Sequence, residues 1–564
     1  MDDRHALSAA LGEKLNMEAD ALSEWFETPP SDDLGDYAFP CFRLAKTMRK
    51  APNLIAAELA PQIVLPAGFS RAEAVGGYIN FFVNKADYAK SVLTRVRNEG
   101  ERYGASDEGA GRNVCIDYSS VNIAKPFGIH HLSTTAIGHA LYRIYNFLGY
   151  KSIGINHLGD WGTQFGKMIV AYQKWGDKET VDREGVRSLV ELYVRFHQEA
   201  EKDASLNDEG RAWFRKIELG DKEALSLFNW FKELTMRDVM RVYELLDIRF
   251  DSYAGESFYE DKMLPVVEEL REKGLLKVDQ GASIVDLSAY DMPPCIILRT
   301  DGATLYATRD LATAIYRKNT YDFAKSLYVV AYQQSLHFRQ FFKVLELMGK
   351  AWVKDMEHVS FGMVSFDGAS FSTRQGNVVY LEDVLNASIE RTLEIIKEKS
   401  PEMENKEAVA RDVGVGAVIW SVLYNSKIKD INFTWERALN FDGETGPYTQ
   451  YTYARCQSVL RKAGTFDFAA PDFAALTDAS SMALLRALAA FPDAVKAAAN
   501  KNEPFLVSRA VMEICSAFNK FYYDNRILGE AENVKNARLA LCEAAGTVIK
   551  TGLYLVGLKA PERM

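Results

Sequence analysis

From residue 113 the chain repeatedly alternates short β-rich runs with helical stretches, and this pattern limits its folds more than any other feature. NVCIDYS is an apolar strand followed by a Gly- and Pro-punctuated loop and a helix from about 131 to 148. Next come the strand SIGIN (152–156), a helix from Thr163, the strand SLYVVA (326–331), the helix HFRQFFKVLELMG and the strand HVSFGMVSF (358–366). Alternating βα units predict an α/β fold: a parallel, doubly wound sheet whose ligand crevice lies at the C-terminal ends of its strands. A mostly helical, charge-rich insertion is expected over about 185–290. Within it VMRVYELLDIRFDSY (239–253) has helical periodicity but no catalytic pattern.

At 564 residues the chain exceeds one hydrophobic core, so several domains are expected. The first, 1–105, reads as a small α/β unit with a strand in GGYINFFV (76–83), closed by the linker-like GERYGASDEGAGRN (100–113). The α/β core follows over 111–380, then a connecting helical region over 381–435. An Ala/Leu-rich segment, 436–564, is patterned as a helical bundle. No apolar run reaches the 18 residues of a membrane span, and the acidic start MDDRHALSAALGEKL lacks a signal peptide's pattern. The six cysteines form no CxxC pair, which argues against a zinc ribbon or a disulfide framework and for a reducing cytoplasm.

The net charge of −10 disfavours a nucleic-acid binder if taken alone, but local clustering matters more. In CFRLAKTMRKAPNL the cations Arg43, Lys46, Arg49 and Lys50 fall at helical spacing, with Leu44, Ala45 and Met48 opposite. A solvated helix face and a phosphate-binding face both fit. The loop NIAKPFGIHHL, between a strand and a helix, is where a phosphate would meet free helix N–H groups, with Lys125 adding charge and Pro126 stiffening the turn. It is neither GxxxxGK[ST] nor GxGxxG, so neither a P-loop nor a dinucleotide fingerprint applies. His130-His131 is a poor metal pair, with no carboxylate or cysteine at ligand spacing, and no metal site is expected in the protein itself.

Across nearly its whole length the chain resembles the bacterial arginyl-tRNA synthetases. The resemblance rests on GDYA (35–38), GGYINFF (76–82), SSVNIAKPF (119–127), GINHLGDWGTQFGK (154–167) and DGATLYATRDLA (301–312). It continues through FSTRQGNVV (371–379), NFDGETGPYTQYTYAR (440–455) and GLKAPERM (557–564). It implies a class I Rossmann-like catalytic domain with the helical insertion, a small N-terminal α/β tRNA-binding domain and a C-terminal α-helical anticodon-binding bundle. It further implies ATP-dependent activation of L-arginine, with Mg2+ accompanying ATP, and transfer to the 3′ end of tRNA(Arg). A cytoplasmic monomer, with no membrane association, is expected.

Carried over residue by residue, the resemblance places Ser120, Asn122, His131, Tyr306, Asp310 and Gln334 around arginine. A guanidinium offers donors only and must be met by acceptors such as Asp310. ATP is expected at Gly128, His130, His131, Ser372, Thr373 and Arg374, with His131, His130, Lys125 and Arg374 as the groups acting on its phosphates. Arg43, Lys46, Arg49, Lys50, Tyr448, Tyr451 and Arg455 are expected to meet tRNA, the tyrosines by stacking bases. Tyr453 belongs to the same aromatic run, and a buried aromatic stripe is its plain alternative.

Two segments depart from the family pattern. FSTRQGNVV stands where a KMSKS loop grips phosphates, with Ser370 at the usual lysine position, which many family members also lack with a residue of the Lys125 type compensating, and Gln375 where a second lysine is common in relatives. The family's His-x-Gly-His is here Gly128-Ile129-His130-His131, its first and third letters exchanged. Loss of a preorganised transition-state donor costs on the order of 10²–10³ in rate. An imidazole intruding where adenine should pack costs about 1–3 kcal/mol. Two readings therefore stand: an arginine–tRNA ligase with unusual activation chemistry, and an adenylation-impaired relative that retains tRNA and arginine binding.

Overall fold

The computed structural model describes residues 3–366, 379–468 and 471–564. These form two compact units: residues 1–100, 459–489 and 517–545, and residues 101–458, 490–516 and 546–564.

The first unit contains an antiparallel sheet in which Tyr78–Val83 lies between Tyr37–Pro40 and Phe69–Val75. Phe39, Ile79 and Phe81 from the sheet pack with Leu7, Leu11, Ile55 and Leu59 from flanking helices. The basic segment differs from expectation. Cys41–Leu44 is a 3-10 turn and Ala45–Met48 a single helical turn, and Arg49 ends it in the left-handed region at φ 51. The four cations thus share no helix face. Arg43 lies over the Trp25 ring at 5.2 Å, and Lys50 pairs with Glu58 at 2.5 Å.

The second unit holds the four-stranded parallel sheet, in the order Met356–Phe361, Lys325–Ala331, Asn113–Asp117 and Lys151–Ile155. The chain leaves the two central strands in opposite directions, so the topological switch point lies between Asn113–Asp117 and Lys325–Ala331, where an open α/β sheet places its ligand crevice. One expectation is corrected. HVSFGMVSF is not one strand: it divides into Met356–Phe361 and Val364–Phe366, the latter pairing with Ile431–Phe433. The backbone of Lys429 and Asp430 lies so close that a Cβ at Gly362 would stand 2.5 Å from the Lys429 carbonyl carbon, and this approach breaks the run. The insertion, helical from Val186 to Leu245, closes with a three-stranded antiparallel sheet over Leu276–Asp279, Ala282–Val285 and Cys295–Leu298.

The helix Leu132–Phe147 begins at the crevice and crosses beneath Tyr118, which is fully buried. It approaches so closely because Gly138 has no side chain: a Cβ there would collide with Tyr118 Cβ and Cγ. Alanine would gain about 1 kcal/mol of helix propensity over glycine, but overpacking costs about 1–3 kcal/mol. Gly138→Ala is expected to lower the midpoint of thermal unfolding, and an unchanged or raised midpoint in calorimetry would refute this packing account.

Candidate active site

The loop from Tyr118 to His131 runs along the end of the central strand in an unusual backbone conformation. Ser119, Ser120 and Ala124 have φ values of 68, 46 and 57. Left-handed backbone at non-glycine residues costs of order 1–3 kcal/mol each and persists only where surrounding contacts enforce it. Those contacts are present. Ser119 N–H donates to Thr134 Oγ1 at 3.0 Å, and Ser120 Oγ donates to Asp117 Oδ1 at 2.7 Å. Ile123 N–H donates to the Gly159 carbonyl at 3.1 Å, and Gly159 N–H donates to the Val121 carbonyl at 2.9 Å. Asn122 is thereby laid beside Gly159, where any Cβ would run into the Asn122 amide.

At the loop's far end, Gly128 forms a bridge with Tyr380, while Ile129 N–H donates to the Val379 carbonyl at 3.0 Å. Burial lowers the His130 pKa to about 4, assisted by the nearby Lys125 charge. His131 is likewise held well below the usual histidine range by burial, with His130 and Lys125 adding to the effect. Both imidazoles are neutral at pH 7, so each offers a hydrogen bond rather than a positive charge. The two rings lie 4.0 Å apart, and His131 Nδ1 is buried without a partner among the described residues.

The exchanged tetrapeptide has a steric consequence. A Cβ built on Gly128 would stand 2.7 Å from His130 Nδ1 and 2.8 Å from its Cε1. The His130 ring folds back over Gly128 and fills the space from which a side chain at 128 would depart. Gly128 itself has φ −87, extended backbone that any residue adopts, so the ring and not the backbone reserves the position for glycine.

Across the switch point, Tyr306 and Asp310 stand in the first turns of the helix Tyr306–Tyr321. Tyr306 is 68% exposed. Asp310 is no helix cap: its Oδ2 meets His337 Nε2 at 2.5 Å. Burial would lower the His337 pKa, but this carboxylate more than offsets it and the net shift is upward. Gln334 is exposed in the turn that follows Lys325–Ala331.

Sequence reasoning passed over much of the acidic lining. Asp160 is fully buried and accepts from Lys232 Nζ at 2.5 Å, from Ser257 N–H at 2.9 Å and from Ser257 Oγ at 2.7 Å. Glu256 faces Arg309 at 3.5 Å. Burial raises the Glu256 carboxyl to about 7; Arg309 opposes the rise, while Asp310 and Asp160 add to it. Glu256 sits in the irregular YAGESFYEDK and shows no periodicity that would flag it. His337 was traceable, as one of 8 histidines lying three positions beyond Gln334. Asp160, Glu256 and Asp310 each face a basic side chain, Lys232, Arg309 and His337 respectively, so the acids beside the switch point sit in a cluster of paired charges.

Ser372, Thr373 and Arg374 lie outside the described residues. Among the tRNA candidates in the helix Gly446–Ala463, Tyr451 is 39% exposed with the Arg455 guanidinium 4.9 Å from its ring centre. Tyr448 is half-buried, and Tyr453 is buried in the core.

Comparison with known proteins agrees with this architecture. Residues 93–435 match the family described as "tRNA synthetases class I (R), catalytic domain". Residues 4–83 match "Arginyl tRNA synthetase N terminal domain", and residues 449–564 match "DALR anticodon binding domain". The Arginine--tRNA ligase of Alkaliphilus metalliredigens is 54% identical over 96% of both chains, and that of Clostridioides difficile is 53% identical over 100% of both. The solved Thermus thermophilus arginyl-tRNA synthetase superposes with a TM-score of 0.82 at 26% identity, covering 100% of both chains. The catalytic unit is therefore that of a class I aminoacyl-tRNA synthetase. The chain belongs to the arginyl-tRNA synthetase family.

The steric exclusion between positions 128 and 130 generates a double-mutant cycle. Gly128→His alone is expected to destabilise the protein, and the same change together with His130→Gly to recover part of the loss. Contacting residues typically show interaction energies of about 0.5–3 kcal/mol. Additive shifts in denaturant or thermal unfolding would contradict the shared volume.

Proposed function

We propose that the switch-point crevice binds L-arginine between the strained loop and the acidic lining, with ATP across the Lys125–His131 end. The reaction is that of an arginine–tRNA ligase. The arginine carboxylate attacks the α-phosphorus of ATP, giving arginyl-adenylate and pyrophosphate, and a terminal ribose hydroxyl of tRNA(Arg) then takes the arginyl group and releases AMP. The observation that carries this reading is Asp310, held by His337 in the opening turns of the helix across the switch point from the strained loop, because a guanidinium offers donors only and requires an acceptor.

In this reading Asp310 and Tyr306 meet the guanidinium end, while Ser120, Asn122, His131 and Gln334 hold the remainder of the amino acid. Gly128, His130, His131 and Lys125 face ATP, joined by Ser372, Thr373 and Arg374. Mg2+ comes with ATP on its phosphate oxygens. Among the described residues no three His, Cys, Asp or Glu side chains are grouped to hold a metal themselves. The segment 1–105, with Arg43, Lys46, Arg49 and Lys50, contacts tRNA, and so does 436–564, with Tyr448, Tyr451 and Arg455. Segment 111–380 carries the chemistry and 381–435 connects it to the bundle. The chain acts as a cytoplasmic monomer. Among the described residues no helix is long and apolar enough to cross a membrane, in keeping with that location.

The test is arginine- and tRNA(Arg)-dependent exchange of pyrophosphate into ATP. Exchange is expected, and it should rise by at least tenfold in Gly128→His/His130→Gly if the missing donor at 128 limits activation. Arginine and tRNA binding with no exchange in the parent chain would instead identify an adenylation-impaired relative.

Glu256 supplies a pH signature. Its carboxyl is held at about 7 in the free protein, and a bound guanidinium stabilises the carboxylate and lowers that value. Below pH 7 binding must therefore expel a proton, so arginine affinity should rise with pH and level off above about 7. Calorimetry in buffers of differing ionisation enthalpy should detect proton release near pH 6, lost in Glu256→Gln. Equal heats in all buffers would count against Glu256 facing arginine.

A further inference from the structure

The strained loop is held from outside the sheet by one helix of the insertion. Lys222–Leu245 is a strongly determined helix: the Asp221 side chain caps it by accepting from Ala224 N–H, and Ala224, Phe228, Phe231, Leu234, Val239 and Val242 are buried at helical spacing. Two polar side chains interrupt this apolar face, Thr235 and Tyr243. They are eight positions apart and thus on one side of the helix, and neither is exposed to solvent.

Both end on the loop. Thr235 Oγ1 accepts from Ala124 N–H at 3.0 Å, and the Tyr243 hydroxyl pairs with Ser119 Oγ at 2.7 Å while accepting from Asn156 Nδ2 at 2.8 Å. Ala124 and Ser119 are two of the loop's left-handed residues. Toward its C-terminal end the same helix carries Arg241, which reaches Glu382 at 3.0 and 3.2 Å. Glu382 stands in the first turn of Leu381–Lys399, directly after Val379 and Tyr380, the residues that pair with Ile129 and Gly128. The helix therefore fixes the loop at its start, its middle and, through Glu382, its end.

We infer that Thr235 and Tyr243 are positioning residues for the activation reaction. They hold the left-handed loop in register for the substrates without touching substrate themselves. This rests on the reading above that the loop binds arginine and ATP.

Two variants remove one hydroxyl each with little change of shape: Thr235→Val, which leaves the Ala124 N–H without its acceptor, and Tyr243→Phe, which keeps the ring against Phe127 and Phe250. Thr235→Ser retains the hydroxyl and serves as the rescue. The readouts are kcat and KM for tRNA-dependent pyrophosphate exchange well below each variant's unfolding midpoint, and amide hydrogen exchange of peptides covering residues 118–131. Misplacement of a bound reactant by about 1 Å costs about a hundredfold, so kcat should fall tenfold to a hundredfold. The tRNA affinity should stay unchanged, loop exchange should quicken, and Thr235→Ser should restore both readouts. Folded Thr235→Val and Tyr243→Phe proteins with parental kcat and parental loop exchange would overturn the inference. So would a loss of kcat that Thr235→Ser fails to restore. If the parent chain itself shows no arginine-dependent exchange, the ligase reading fails. Faster hydrogen exchange confined to 118–131 in the variants would then still support the clamp, and unchanged exchange would overturn it.

Discussion

The buried contact between Asp117 and Arg317 is the constraint on which the catalytic unit depends. Asp117 ends the central strand and Arg317 lies in the helix Tyr306–Tyr321, and their charged groups are 2.7 Å apart with Arg317 wholly buried. Burial opposes the charge on Arg317, but Asp117 more than offsets it, and its pKa stands well above the ordinary value. Removing either partner of such a pair strands a charge in the interior, typically at about 3–5 kcal/mol. The other carboxylate oxygen of Asp117 receives the Ser120 hydroxyl. One side chain therefore ties together the strand end, the first turn of the loop and the helix that bears Tyr306 and Asp310.

Burial shapes the chemistry around this anchor in two directions. On the loop side it removes charge from His130 and His131, leaving neutral hydrogen-bonding groups. On the opposite side burial itself lifts the Glu256 carboxyl to about 7, against the pull of Arg309 and with Asp310 and Asp160 adding to the rise.

The parallel sheet was legible because its strands are short apolar runs between helical patterns, and the strands Asn113–Asp117 and Lys325–Ala331 fall where those runs lie. The loop that carries Ser120, Asn122 and His131 was legible as a connection between a strand and a helix, but its left-handed residues Ser119, Ser120 and Ala124 were not, because only contacts from distant segments enforce them. Other features depend on chain segments far apart in sequence. Glu256 comes beside Asp310 and Asp160 only because the insertion folds back on the sheet, and Tyr243 reads in sequence as one more apolar position of a helix. The split of HVSFGMVSF reflects the approach of Lys429 and Asp430, which nothing within those nine residues announces. Periodicity reports which side of an element is buried, but not which distant segment buries it.

Because the His130 ring occupies the space above Gly128, the two positions act as a single locus with two permitted states, ring at one or ring at the other. Moving from one state to the other by single substitutions passes either through a chain with both rings competing for one volume or through a chain with neither. The first and third positions of the tetrapeptide are thus coupled through one shared volume.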